Sequence, residues 1–218
     1  MLAKALRKLG AELRRKTFHL ICAMAICFLL NAASSWQMTI IAVVLFAIVI
    51  YPILALLERF PQYARFFSQR QPGEVKSSLI LLCLMVALLT AIFWGWLGAK
   101  WKYIIIVAIM AWGYGDAAAC LVGKTFGRHY LEHRLIEGKK TLEGTLAMVI
   151  VSGLAVFFTT VKYTSLSWHV CLLVALLVAP VCALVELYSL RGIDTITVPF
   201  ATAISTFVVI QLFTGMRV

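Results

Sequence analysis

Seven stretches of the chain, at about 17–34, 37–57, 78–98, 103–122, 144–161, 168–188 and 196–214, are apolar over a bilayer-crossing length, for which a helix needs about 20 residues. Backbone amides inside hydrocarbon must be satisfied within the segment, so each run reads as a transmembrane helix. The fold class that follows is all-α, a polytopic integral membrane protein of about seven spans. Composition agrees: 63% of the residues are apolar and 13% charged, with a mean hydropathy of +0.97, where an ordinary soluble domain carries about a quarter charged residues. Within 218 residues these spans leave no room for a separate soluble domain.

Alternating connections then assign the twenty Lys and Arg residues to two sides. One side holds six in the N-terminal segment (Lys4, Arg7, Lys8, Arg14, Arg15, Lys16), four in 58–77, five in 123–143 and Arg191 in 189–195. The other holds Lys100, Lys102, Lys162 and Arg217. Sixteen against four places the N-terminus in the cytoplasm and, with an odd number of spans, the C-terminus outside. All nine acidic residues fall in cytoplasmic segments or embedded stretches, so charged chemistry belongs to the cytoplasmic face. A net charge of +11 suits topology determinants and attraction to anionic headgroups, while the 123–143 loop also suits a polyanionic small molecule. The expected partners are the bilayer and small molecules, with no nucleic acid. The first run ends in Asn31-Ala32-Ala33-Ser34, which mimics a signal-peptide cleavage site. A retained first helix is preferred, because the run approaches a full span and basic residues, with Glu12, continue up to it. Cys22, Cys27, Cys83, Cys120, Cys171 and Cys182 lie scattered through apolar spans without a CxxC spacing and read as small buried hydrophobes.

Asp116 stands out within Gly113-Tyr114-Gly115-Asp116-Ala117-Ala118-Ala119, about two turns before the cytoplasmic boundary. A charge deep in a span costs about 2.5–3.5 kcal/mol or more and marks a functional site by default. Close helix packing explains the small neighbours, but not the aspartate. Two readings stand: an ion pair with a basic residue inside the bundle, or a ligand for Mg²⁺, which is commonly held by one or two carboxylates plus substrate phosphates. Gly123-Lys124-Thr125 tempts a P-loop reading, which fails because Ala118 stands where the motif needs glycine and a helix rather than a strand precedes it. His129-Tyr130-Leu131-Glu132-His133 matches HxxEH, but His169 lies on the opposite side and no third ligand follows. A polar loop helix with solvated histidines is expected instead.

Lys139-Lys140-Thr141-Leu142-Glu143-Gly144-Thr145 runs into the fifth span. Two lysines, a hydroxyl and helix-start amides make a phosphate cradle. Lysines would also keep a loop out of the membrane, which leaves Glu143 unexplained. Glu186 lies about one turn inside the sixth span, and Asp194 sits in the connection before the seventh, whose Pro199 suits the first turn of a helix. By topology Asp116, Glu143, Glu186 and Asp194 share a face with the basic loop. Such a set suits a metal–nucleotide complex, in which cations neutralise phosphate while carboxylates bind metal or take a hydroxyl proton. Glu12, Arg15, Lys16 and His19 share one face leading into the first span; pairing of Glu12 with Lys16 explains two of them and leaves His19 over.

The ordered set of Glu12, Arg15-Lys16-x-x-His19, Gly115-Asp116, Gly123-Lys124-x-x-Gly127-Arg128, Lys139-Lys140-Thr141-x-Glu143-Gly144-Thr145, Glu186, Gly192-x-Asp194 and Thr197-x-Pro199 resembles the CTP-dependent lipid-alcohol kinases. That family includes dolichol kinase, phytol and farnesol kinases and the fungal-type diacylglycerol kinase. The resemblance spans nearly the whole chain, and the Lys-Lys-Thr-x-Glu-Gly-Thr stretch looks closer to dolichol kinases than to the phytol branch. Thr195 departs from the asparagine usual after the aspartate. The resemblance implies a single transmembrane catalytic domain over 1–218, with CTP as phosphoryl donor and Mg²⁺ as cofactor. The acceptor it implies is a lipid alcohol, dolichol or polyprenol ahead of phytol or diacylglycerol, at the cytoplasmic face of a bacterial inner membrane or an endoplasmic reticulum membrane. It further implies Asp116, Glu143, Glu186 and Asp194 as catalytic carboxylates, with Asp116, Glu186 and Asp194 on the metal. Gly115, Gly123, Lys124, Arg128, Lys139, Lys140, Thr141, Arg15, Lys16 and His19 would bind the nucleotide. A phosphatidate cytidylyltransferase would use the same nucleotide, but its signature ending in Asp-Arg-x-Asp is not found. Against a small transporter, the carboxylates cluster at one face rather than near the midplane.

Overall fold

The computed structural model describes residues 2–214 except 70, 132, 135, 137–139 and 191, and the backbone alone at 2–9, 61 and 65. In chain order the helices are α1 (Leu2–Ala32), α2 (Trp36–Leu57), the short α3 (Pro61–Phe66), α4 (Glu74–Leu89), α5 (Lys102–Thr125), α6 (Leu142–Tyr163), α7 (Trp168–Tyr188) and α8 (Asp194–Thr214). A π-helical stretch, Thr90–Trp96, continues α4, and a 3₁₀ turn, Ala99–Trp101, leads into α5. Among the described residues six helices are long and apolar enough to cross a membrane: α2, α4 with its π continuation, α5 with the turn before it, α6, α7 and α8. The chain is an all-α polytopic membrane protein. The remaining apolar run, 17–34, forms the second half of α1, whose 31 residues extend about 46 Å at the α-helical rise.

Helix α5 sits at the centre. Two thirds of its span is buried, against 11% for the peripheral α2, and Ile104 through Ile109 are all buried. A helix apolar all round needs neighbours on every side; α5 has α1, α6 and α8 against it, while α6, α7 and α8 pack in sequence. Gly113 faces Ala23 of α1, and Gly115 faces Met148 and Ser152 of α6, at distances that leave no space for a side chain. The small-residue run is therefore consumed by helix packing on two sides.

Two local features depart from expectation. The segment after α5 is an antiparallel ladder rather than a loop helix: β1 (Tyr130–Leu131) pairs with β2 (Lys140–Thr141), Tyr130 opposite Thr141 and Leu131 opposite Lys140. Helix α8 begins at Asp194, whose Oδ1 accepts from Thr195 N at 3.1 Å. This earlier start puts Pro199 beyond the first turn, where its missing N–H leaves the Thr195 carbonyl without the usual helical donor.

Candidate functional site

Helices α1 and α5 run antiparallel and interlock two combs of polar side chains. Glu12, Lys16 and His19 lie along one face of α1, and Trp112, Asp116, Cys120 and Lys124 lie at four-residue spacing on α5. Lys16 donates to Asp116 Oδ2, with the two residues only 6% and 7% exposed. Glu12 holds Lys124 at 2.7 Å and Arg15 at 3.0 Å, with Cys120 Sγ 3.6 Å away. Arg15 reaches on to Glu74 of α4 at 3.5 Å. The expected pairing of Glu12 with Lys16 on one helix is thus replaced by pairing across helices, because a lysine turned into the bundle meets the buried Asp116. His19 packs edge-on against Trp112, ring centroids 4.0 Å apart, with Nε2 3.6 Å from Asp116 Oδ2. That distance is too long for a hydrogen bond, and Nε2 is buried without a partner.

The hairpin joins this comb to α6 and α7. Thr141 is buried and caps α6, its Oγ1 accepting from Gly144 N at 3.2 Å. Around it the backbone is packed too closely for side chains. A Cβ on Gly127 would lie 2.1 Å from the Gly123 carbonyl oxygen, one on Gly123 2.9 Å from Thr141 Oγ1, and one on Gly144 2.8 Å from the Ala119 carbonyl oxygen. Gly123 and Thr141 thereby fix where the loop leaves α5 and enters α6. Glu143 closes the ladder from below: Oε1 lies 2.7 Å from His129 Nδ1 and accepts from His129 N at 3.2 Å. Leu142 N adds a bond to His129 O at 2.9 Å. His129, expected to be solvated, is instead the partner of Glu143, although its side chain remains largely exposed.

Lys140 Nζ lies 2.9 Å from Glu186 Oε1 and also donates to the Glu186 carbonyl, tying β2 to the end of α7. Asp194 lies within Coulombic range of Asp116, Lys16 and Glu186, and no described cation pairs with it. Arg128 is exposed and lines a cleft of about 460 Å³ with Thr125, Phe126, Gly127, His129 and Glu143. Lys139 lies outside the described residues. The structure therefore brings Arg15, Lys16, His19, Asp116 and Lys124 into one network. It brings Lys140 to Glu186 and Asp194 close to both groups, and sets Glu143 apart on the hairpin.

Among the described residues no three His, Cys, Asp or Glu side chains stand close enough together to hold a metal ion. Mg²⁺ ordinarily needs only one or two carboxylates when phosphates complete its shell, and among the described residues Asp194 has no ion-pair partner. Sequence reasoning missed Trp112 and Glu74. Trp112 stands one turn before Asp116, the one local signal that could have found it; nothing local marks Glu74 as the partner of Arg15.

A curated phytol kinase from a Synechocystis species is similar to this chain, 34% identical over 146 residues, which cover 66% of this chain and 59% of that protein. The chain thus spans less than two thirds of that relative's length. No family model matches the chain, and no solved structure matches it.

Proposed function

We propose that this chain is a CTP-dependent kinase of a membrane lipid alcohol, working at the cytoplasmic face. The observation that carries the reading is the 34% identity to a phytol kinase, supported by a carboxylate–cation network at the end of the bundle where the ordered motifs meet. An isoprenoid alcohol is the proposed acceptor. The Lys140-Thr141-x-Glu143-Gly144-Thr145 stretch favours dolichol or polyprenol, and the name of the relative adds phytol to the candidates.

The pairs suggest how a triphosphate would be received. Lys140 and Lys124 are already positioned, each held by a carboxylate, Glu186 and Glu12. Incoming phosphates exchange those partners, and charge-assisted bonds to phosphate replace the carboxylate bonds. Glu186, Asp194 and Asp116 would be the carboxylates to hold a Mg²⁺, which would supply charge neutralisation to the phosphates. Arg128 and Lys139 extend the cationic rim. Asp116, paired with Lys16, would receive the hydroxyl proton as the alcohol oxygen bonds to the γ-phosphorus; the bond from that phosphorus to the β-phosphate oxygen breaks and CDP leaves. Gly123 and Thr141 serve by backbone packing. Gly115 seats α6 against the helix that bears Asp116, and Glu143 holds the hairpin that bears Lys140.

The test supplies the purified protein in lipid with CTP labelled separately at the α- and γ-phosphates, with dolichol, phytol, farnesol, diacylglycerol and phosphatidate as acceptors. Label from the γ-phosphate in a lipid alcohol is expected. Label from the α-phosphate in phosphatidate product would make the chain a cytidylyltransferase, and no label from either would end the enzymatic reading.

A further inference from the structure

The end of the bundle opposite Asp116 holds a second cleft, of about 380 Å³, within the ~300–1,000 Å³ range of small-ligand sites. Lys100, Trp101 and Tyr103 line it from the start of α5, Ser165 from the α6–α7 turn, and Gln211 and Thr214 from the end of α8. Trp101 is buried and packs edge-on against Phe207 with centroids 4.8 Å apart, so that wall is fixed. Lys100 Nζ lies 5.6 Å from the Trp101 ring. The neighbouring Lys102 is engaged elsewhere, donating to the Ala33 carbonyl at 3.1 Å and lying 4.1 Å over Trp94.

The segments that meet at this end, 33–35, 97–103, 162–168 and 211–214, contain no acidic residue. Lys100 therefore has no carboxylate side chain in these segments, and its exposed ammonium is open to an external anion. Ile204, Val208 and Leu212 follow one another on α8 at four-residue spacing, each exposed by 46–65%, as an apolar track on the helix that also supplies Gln211 and Thr214 to the cleft. A cation, a hydroxyl-and-amide rim and an aromatic wall at the head of an apolar track match one chemistry: a phosphodiester headgroup with acyl chains.

We infer that this cleft binds an anionic phospholipid. Lys100 pairs with the headgroup phosphate, Ser165, Gln211 and Thr214 hydrogen-bond its polar oxygens, and one acyl chain lies along Ile204, Val208 and Leu212. A lysine that merely reaches for the interface would show no such preference, and Lys162, 5.3 Å over Tyr163 and outside the cleft, provides the comparison.

Thermal unfolding of the purified protein in neutral detergent tests this with phosphatidylglycerol, phosphatidylcholine and soluble glycerol phosphate at equal concentration. Phosphatidylglycerol at ten times its Kd should raise Tm by about 3–6 °C. Lys100→Gln should lose most of that rise and Lys162→Gln should keep it. Gln211→Leu, expected to lose part of the rise, serves if Lys100→Gln does not survive purification. In native mass spectrometry the wild type should retain one phosphatidylglycerol that Lys100→Gln releases. An equal rise with phosphatidylcholine, an equal loss in Lys162→Gln, or no loss in the cleft variants overturns the lipid site. The full rise with soluble glycerol phosphate would make the cleft a site for free phosphoesters and overturn it as well.

Discussion

The two ends of the bundle handle charge in opposite ways. At one end Lys16, Arg15, Lys124 and Lys140 each lie against a carboxylate of another segment or turn. At the other, Lys100 lies 5.6 Å from the Trp101 ring and pairs with no carboxylate among the described residues. Helices that place acid and base at matching depths can carry charge into a membrane, because each charge offsets part of the other's desolvation and removing one leaves the other uncompensated. A cation without an acid at its depth keeps its head in water at the rim. The first end can take up a polyanion only by exchanging partners, whereas the second can accept an anion directly.

The comparison breaks most sharply at Asp116. Asp116→Ala should lower phosphoryl transfer by at least about a thousandfold while insertion is retained, the loss expected when a group acting on the transition state is removed. The double variant Lys16→Met with Asp116→Leu removes both buried charges and should recover thermal stability without recovering transfer. Recovery of both would make the pair scaffolding alone. Next is Gly127→Ala, which forces a methyl against the Gly123 carbonyl and should cost about 2–3 kcal/mol of stability, read by thermal unfolding. On the proposed reading, Lys140→Met would remove a charge-assisted phosphate contact and should raise KM for CTP about 10–100-fold, with a smaller effect on kcat. Glu143→Gln keeps the shape but weakens the hold on His129, and should lower activity only a few-fold; a loss as deep as that of Asp116→Ala would return Glu143 to the chemistry. The smallest effect belongs to Glu58, whose carboxyl is held below its ordinary value by the Lys76 ammonium at 2.5 Å and by Gly73 N. Its ionised form contributes stability above the unfolded value of about 4.5, and the contribution is lost as pH falls through the lower folded value. Tm measured at pH 7 and pH 4 should differ less in Glu58→Gln than in the parent.

Six of the seven expected spans coincide with helices long and apolar enough to cross a membrane, and they were legible because hydropathy is local. Asp116 was legible because an ionisable residue in such a run is costly wherever the rest of the chain goes. Its partner was not: Lys16 lies 100 residues away, and only the antiparallel register of α1 on α5 selects it over the other cations. The glycines of the loop illustrate the reverse ambiguity. Gly123 and Gly127 suit a phosphate cradle by composition, yet the close approach of two backbones around Thr141 already requires them. The start of α8 was placed two residues late because Asp194 reads as loop until its side chain is seen bonding Thr195 N.

The pairing of Lys16 with Asp116 also sets an order of events. A chain leaves the ribosome from its N-terminus, so Lys16 is made 100 residues before Asp116. In order of synthesis, the helix that carries Asp116 thus follows the helix that carries its counter-ion. A circularly permuted chain that synthesises α1 after α8 should insert α5 poorly, and glycosylation-site mapping of the two ends of α5 would show it.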